Sequence, residues 1–122
     1  MTSSLARALP WGEIASYYRK LEGNYGWPPA MATLVDAIAV SPYASSIFGA
    51  TSAHTLLVSQ HPEFDPAGPL LSIQREGGDL VLQYRVSGPT SAGWAKRCPP
   101  ADGLSALEQF LRLHNWVSPP PP

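Results

Sequence analysis

The sequence has little charge and no excess of basic residues. Only 14% of its 122 residues are Asp, Glu, Lys or Arg, against about a quarter in an average soluble protein. Eight basic residues face nine acidic ones, and the densest basic groupings are the pairs Arg19 with Lys20 and Lys96 with Arg97. Because nucleic-acid binding neutralises several phosphates together, no nucleic-acid partner is expected.

The sequence also lacks cysteine pairs, long apolar runs and a phosphate-binding loop. Cys98 is the only cysteine, which excludes an internal disulfide and a thiolate zinc cluster. No window approaches the ~18 apolar residues of a membrane span, and the first nine residues do not resemble a secretion signal. Gly77 and Gly78 lie between two strand patterns with no Lys-Ser/Thr after them. We therefore expect a soluble, cytoplasmic protein without a membrane partner or a cofactor.

What the chain does contain is apolar and aromatic. Its apolar content is 44%, and its aromatic residues include four tryptophans: Trp11, Trp27, Trp94 and Trp116. With a net charge of −1, copies of the chain repel one another weakly, so an exposed apolar patch favours self-association. We expect a homodimer.

The clearest pattern is a β-hairpin from Pro69 to Val86 with its turn at Gly77 and Gly78. Counting outward from the turn pairs residues across one apolar face: Arg75 with Leu80, Ile73 with Leu82, and Leu71 with Tyr84. The other face is mainly polar and predicted to contact water: Ser72, Gln74, Val81, Gln83 and Arg85. Since an isolated hairpin is marginal in water, helices must cover its apolar face.

Apolar residues recurring every three or four positions predict three helices. These are Pro10–Glu22 ended by Gly23, a helix starting near Pro28-Pro29 and ended by Pro42, and a helix opened by Asp102. A short helical turn is predicted from Ser41 to Phe48, closed by Gly49. Tyr25 and Trp27, in the Gly/Pro-rich turn after the first helix, are predicted to fold back as lids on the core.

Two further strands and one loop complete the prediction. Ala53–Ser59 has apolar residues on both faces and predicts a central strand, whereas Gly93–Cys98 predicts an edge strand. His61–Gly68, with two prolines and a glycine, predicts a loop. The fold class is therefore α+β, with an antiparallel three- or four-stranded meander sheet and N- and C-terminal helices on one face, in the order α-α-β-β-β-(β)-α.

Residues 1–117 are predicted to form a single domain, followed by a proline-rich disordered tail over residues 118–122. The four prolines Pro119–Pro122 are typical of polyproline II ligands of aromatic grooves. No basic residue flanks them, which favours a disordered end instead.

The densest group of polar side chains predicts a ligand-binding pocket for a small polar ligand. Its candidate residues are Tyr43, Ser46, Thr51, Ser52 and His54. The alternative is that these hydroxyl and imidazole groups satisfy the backbone of turns and strand ends.

A small hydrolase is the alternative function, with His54 and a nearby hydroxyl or with Cys98 as nucleophile. Ser52 and His54 could form a triad with Asp36 or Asp65, but two residues along a strand leave their Cβ atoms roughly 6.5–7 Å apart. Cys98 follows Lys96 and Arg97, which would lower its pKa if they lay close. A lone cysteine at a strand-to-helix junction is more often a small buried side chain.

His61, Glu63 and Asp65 alternate along one loop and have ligand types that suit a divalent ion. No second ligand pair stands at a recognisable spacing, so a solvated acidic loop is the preferred interpretation. No metal site is predicted.

The segments Ser41-Pro42-Tyr43 and Ile47–Leu56, together with Leu107–Leu111 and Trp116, resemble small uncharacterised bacterial α+β proteins of unknown function. The resemblance covers about Ser41 to Val117. It implies a bacterial source and a stand-alone small domain. It implies no activity and no catalytic residues.

These observations favour a small non-enzymatic module that binds a protein partner, a second copy of itself or a small polar ligand. A third hypothesis is that a partner adds a strand to the exposed sheet edge. Lys96 and Arg97 suit protection of that edge instead.

Overall fold

The computed structural model describes residues 6–52, 54–64, 69–85, 94–114 and 116. Its helices are α1 (Trp11–Tyr25), α2 (Met31–Ala39) and α3 (Gly103–Leu113), and a 3-10 turn at Pro100–Asp102 precedes α3. Its strands are β1 (Ala6–Arg7), β2 (Phe48–Ser52), β3 (Thr55–Ser59), β4 (Glu63–Phe64), β5 (Leu70–Glu76), β6 (Asp79–Arg85) and β7 (Ala95–Cys98).

Five strands form an antiparallel sheet in the order β2-β3-β5-β6-β7. The β5–β6 hairpin has the predicted register, with Arg75 opposite Leu80 and Ile73 opposite Leu82. Its turn uses Gly77 at φ +63°, a backbone conformation that glycine adopts without strain. The hairpin is confirmed over Leu70–Arg85, while Val86 lies outside the described residues.

The three helices cover the apolar face of this sheet, as predicted. One buried cluster joins side chains from every helix to side chains of β3, β5 and β6: Ile14, Leu34, Leu107, Val58, Ile73 and Leu82. The helical spacing of apolar residues places each stripe against the sheet. The α+β class and the element order are thus confirmed.

The sheet has five strands rather than three or four because β2 was not predicted. Phe48 and Gly49, expected to end a helical turn, are the first two residues of β2. The turn before it is present, since the Ser41 hydroxyl accepts the Tyr43 N–H at 3.2 Å, but it ends at Ser46. The small residues of β2 gave no alternating apolar signal.

The other face of the sheet is not wholly solvent-exposed. β1 pairs with β4 in a second, two-stranded sheet, so part of the predicted His61–Gly68 loop is a strand. Phe64 of β4 packs with Ala50 and Leu70 in a separate buried cluster. Ser72, predicted to face water, is consequently buried.

α1 extends beyond its predicted end at Gly23. Gly26 takes the left-handed conformation at φ +68° and donates its N–H to the Gly23 carbonyl, while the Trp27 N–H reaches the Glu22 carbonyl. This is the usual glycine-terminated helix end. Tyr25, predicted to lie in the turn, is therefore the last residue of the helix.

The remaining predictions for elements hold at the described residues. β3 lies between two strands, β7 lies at an edge, and α3 follows Asp102. Residues 118–122, predicted as a tail, lie outside the described part of the chain. None of the helices found in the described residues has the length and apolar content needed to cross a membrane.

Candidate binding site

The predicted pocket residues divide between the two ends of β2. Tyr43 lies in the turn before this strand, where its hydroxyl donates to Glu108 of α3. This hydrogen bond, with partial burial, raises the pKa of Tyr43. Ser46 lies in the same turn and is exposed.

Thr51 and Ser52 form the last two positions of β2, and His54 follows in the turn to β3. The four steps from Phe48 to Ser52 span about 13 Å of strand. This strand separates Tyr43 and Ser46 from Thr51, Ser52 and His54, and a pocket formed by all five stays a prediction.

His54 lies beside two aromatic residues at the end of α1, Tyr25 and Trp27. The Tyr25 and Trp27 rings stack with centroids 4.5 Å apart and planes at 12°. The His54 ring meets both edge-on, at 6.0 Å from Tyr25 and 6.3 Å from Trp27. Tyr25 is 57% exposed and Trp27 is 37% exposed. We call these three residues the aromatic surface.

Tyr25 and Trp27, predicted to fold back as lids on the core, are both exposed and contact each other and His54. The left-handed Gly26 between them turns the chain at the end of α1 and carries Trp27 back beside Tyr25.

Arg75 contacts one face of the Trp27 ring and helps to fix its position. Its guanidinium carbon lies 5.1 Å from the centroid of the Trp27 ring, a cation–π contact. The same guanidinium donates to the Pro28 carbonyl at 2.6 Å and to the Glu22 carboxylate at 3.0 Å. Two acceptors, the Pro28 carbonyl and the Glu22 carboxylate, thus fix the guanidinium of Arg75. Its side chain is largely buried.

Glu22 is a buried acid that joins α1, α2 and β5. Only 2% of it is exposed, and its carboxylate accepts three backbone N–H groups at the start of α2, from Ala30, Met31 and Ala32, at 2.9 to 3.0 Å. These are amides that a helix cannot satisfy itself, and the positive end of the helix dipole favours the negative charge.

Sequence reasoning missed Glu22. The available signal was Arg75, a charged residue on the predicted apolar face, because a buried cation requires an acidic partner. The pairing joins positions 53 apart in sequence, so the arginine indicates that a partner exists without indicating which acid it is.

Of the groups proposed for catalysis, Ser52 and His54 are exposed, Asp36 is paired with another residue and Cys98 is buried. Asp36 forms an ion pair with Arg19 at 2.9 Å, and Asp65 lies outside the described residues. Burial is the main cause that raises the pKa of Cys98, and the nearby Asp102 adds to it. Lys96 lowers this pKa only in part, so the thiol stays protonated near neutral pH and is a poor nucleophile.

Within the described ranges, neither the possible metal ligands nor the sheet edge forms a second site. Among the described residues, no three His, Cys, Asp or Glu side chains come together where they could hold a metal ion. An open groove lies between β7 and α3, and its charged lining residues carry both signs. Arg97 there is neutralised by Glu76 and Asp79, each at 2.9 Å.

Comparison with known proteins adds no family to this description. No protein-family model, no curated protein and no solved structure matches the chain. The resemblance over Ser41 to Val117 stays a sequence-based expectation, and the aromatic surface is assessed on its own geometry.

Proposed function

We propose that this chain is a non-enzymatic protein-binding module whose binding site is the aromatic surface of Tyr25, Trp27 and His54. The observation that carries the proposal is the stacked, exposed Tyr25–Trp27 pair. Trp, Tyr and Arg dominate the energetics of protein interfaces, and all three meet here, with Arg75 beneath.

Preorganisation of the rings supports this role. Trp27 is fixed by a stack and a cation–π contact, and Arg75 is fixed in turn by the buried Glu22. A side chain already held in place loses little conformational entropy when a partner covers it. The fold therefore holds two large rings ready at the surface.

The chemistry of the surface favours binding over turnover. The Tyr25, Trp27 and His54 side chains form no hydrogen bond to another described residue. In the described part of the chain no carboxylate orients the His54 ring, which a histidine base needs for efficient proton transfer. The site offers apolar faces and a few polar atoms, the composition of an interface centre.

A pull-down from a lysate of the source organism tests the proposal with two matched variants. Trp27→Ala removes the central ring, and Val40→Ala removes an apolar side chain that is 87% exposed elsewhere on the surface. We expect a protein retained by the wild type and by Val40→Ala to be lost with Trp27→Ala, since truncating a hot-spot aromatic weakens binding about tenfold or more.

Unfolding curves of the two variants accompany the pull-down, so that loss of binding is separated from loss of fold. Retention of the same proteins by all three chains would contradict the proposal. So would a screen in which His54→Ala abolishes a turnover by the wild type without changing its stability.

A further inference from the structure

We propose that His54 makes the aromatic surface sensitive to pH, so that the surface binds its partner while His54 is neutral and releases it when His54 is protonated. This inference rests on the proposed function and names the regulation of that site. Histidine is the side chain that ordinarily changes charge between about pH 5 and pH 8. His54 is exposed, so its ring can exchange protons with solvent.

His54 lies beside the stacked rings and not over a face of either one. Its ring centroid is almost equally far from both, at 6.0 Å from Tyr25 and 6.3 Å from Trp27, whereas the two stacked rings are 4.5 Å apart. A ring packed on the outer face of one would stand roughly 9 Å from the other, because packed rings keep their centroids at least about 4.5 Å apart. His54 therefore lies at the edges of both rings.

The edge of an aromatic ring is an unfavourable place for a positive charge. The face of the ring carries partial negative charge and the edge partial positive charge. A cation is therefore attracted over the face, where Arg75 lies on Trp27, and is repelled at the edge. Neutral His54 avoids this repulsion. Protonation of His54 should consequently loosen the stack of Tyr25 and Trp27.

The other groups around His54 do not offset this repulsion. From α1, the Tyr18 hydroxyl donates to the His54 carbonyl at 3.5 Å, and burial raises the pKa of Tyr18 above its usual range, so this phenol stays neutral. From β5, the Arg75 guanidinium is a second cation, and its acid, Glu22, is buried and already accepts three backbone N–H groups. The described residues next to His54 in β2 and β3 are uncharged: Ser52 and Thr55.

Contact with a partner gives a second reason for release on protonation. A partner that covers Tyr25 and Trp27 also takes the adjacent His54 ring out of water. Burying an unpaired charge costs far more than burying a neutral ring, so the partner binds the neutral form more tightly. By linkage, uptake of one proton then weakens binding by up to about tenfold for each unit by which the pH falls.

NMR of the ¹⁵N-labelled full chain between about pH 8 and about pH 5 tests the inference without a partner. We expect the Trp27 indole signal to move together with the His54 ring signals. The nuclear Overhauser effect between the Tyr25 and Trp27 rings should weaken about twofold or more at the acidic end, as the population of the closed stack falls.

Two variants separate His54 from the other titrating groups. His54→Phe keeps a ring at this position and every carboxylate of the chain, and its stack should stay intact at each pH. His61→Gln removes another exposed histidine and should behave as the wild type. A wild-type stack that stays intact at the acidic end, or one that loosens equally in His54→Phe, would overturn the inference.

The pull-down at about pH 7.5 and about pH 5.5 tests the effect on binding. We expect the protein that is lost with Trp27→Ala to be held about tenfold more weakly at the lower pH by the wild type and His61→Gln, and equally at both by His54→Phe. If the wild type holds it equally at both, the inference fails and the proposed function stands. If Trp27→Ala retains the same proteins as the wild type, the proposed function fails, whatever the stack does.

Discussion

At the scale of single residues, Glu22 is the side chain on which most of the local structure depends. Its carboxylate satisfies three amides of α2 and the guanidinium of Arg75. Arg75 in turn supports Trp27. One buried acid therefore links the helical layer, the sheet and the aromatic surface.

Replacing Glu22 by glutamine tests this role. The amide keeps the shape but loses the charge and one acceptor, and its NH₂ group faces backbone donors. Breaking a buried, hydrogen-bonded pair in this way should lower the free energy of unfolding by about 2–4 kcal/mol. Urea denaturation measures the loss. Glu13→Gln, at an exposed position of α1, is the control and should change stability by less than about 0.5 kcal/mol.

Cys98 gives a second test at this scale. Burial raises its pKa, so at pH 8 the folded protein holds less thiolate than a free cysteine would, and the sulfur is covered. Iodoacetamide should alkylate it many times more slowly in the folded protein than in urea. Equal rates in the two states, followed by mass spectrometry, would show that the thiol is accessible and reactive.

Sequence reasoning succeeded for residues whose environment is set by near neighbours. Ile73 and Leu82 could be placed because strand alternation and one glycine turn determine their register. Glu22 could not be placed, because its partners lie on two other elements. Tyr25 and Trp27 are predicted as lids on the core, and their stacking on each other at the surface depends on the left-handed Gly26 between them, which the sequence pattern does not indicate.

At the scale of elements, β2 shows how a strand can form without a strong sequence pattern. Its second residue, Gly49, lies against α1: a Cβ there would stand 2.6 Å from the Trp11 ring and 2.9 Å from Ile14. The Leu9 N–H also reaches the Gly49 carbonyl at 2.9 Å. The strand is determined by what packs on it, which local propensity does not encode.

Gly49→Ala should therefore destabilise the protein by about 1–3 kcal/mol, because the added methyl overpacks the contact with α1. Gly12→Ala is the matched control. Nothing lies within 4 Å of a Cβ at Gly12, and alanine is the better helix former, so this change should stabilise by about 0.5–1 kcal/mol. Thermal and urea unfolding compare the pair. Equal effects of the same sign would contradict the packing at Gly49.

At the scale of the whole molecule, two groups of aromatic residues have different roles. Phe110 lies in the buried cluster among Tyr84, Trp94 and Trp116. Tyr25 and Trp27 lie outside it, on an exposed surface at the turn between α1 and α2. The first group stabilises the fold, and the second, in our proposal, binds a partner.

The two groups should differ in their effect on stability. Phe110→Ala removes a fully buried ring and should lower the free energy of unfolding by about 3–5 kcal/mol. Trp27→Ala removes one stack and one cation–π contact, and should lower it by about 1–2 kcal/mol. Urea denaturation of both variants measures the two losses of unfolding free energy. A loss at Trp27 as large as that at Phe110 would show that this ring serves the fold.

Photo-cross-linking in the source cells tests the binding role most directly. A benzoylphenylalanine replaces Tyr25 in one chain and the exposed Val40 in a control chain. We predict that position 25 cross-links to a defined protein, a second copy of this chain included, and that position 40 gives only background. Identical cross-linking patterns from the two positions would contradict the assignment of Tyr25, Trp27 and His54 as the binding surface.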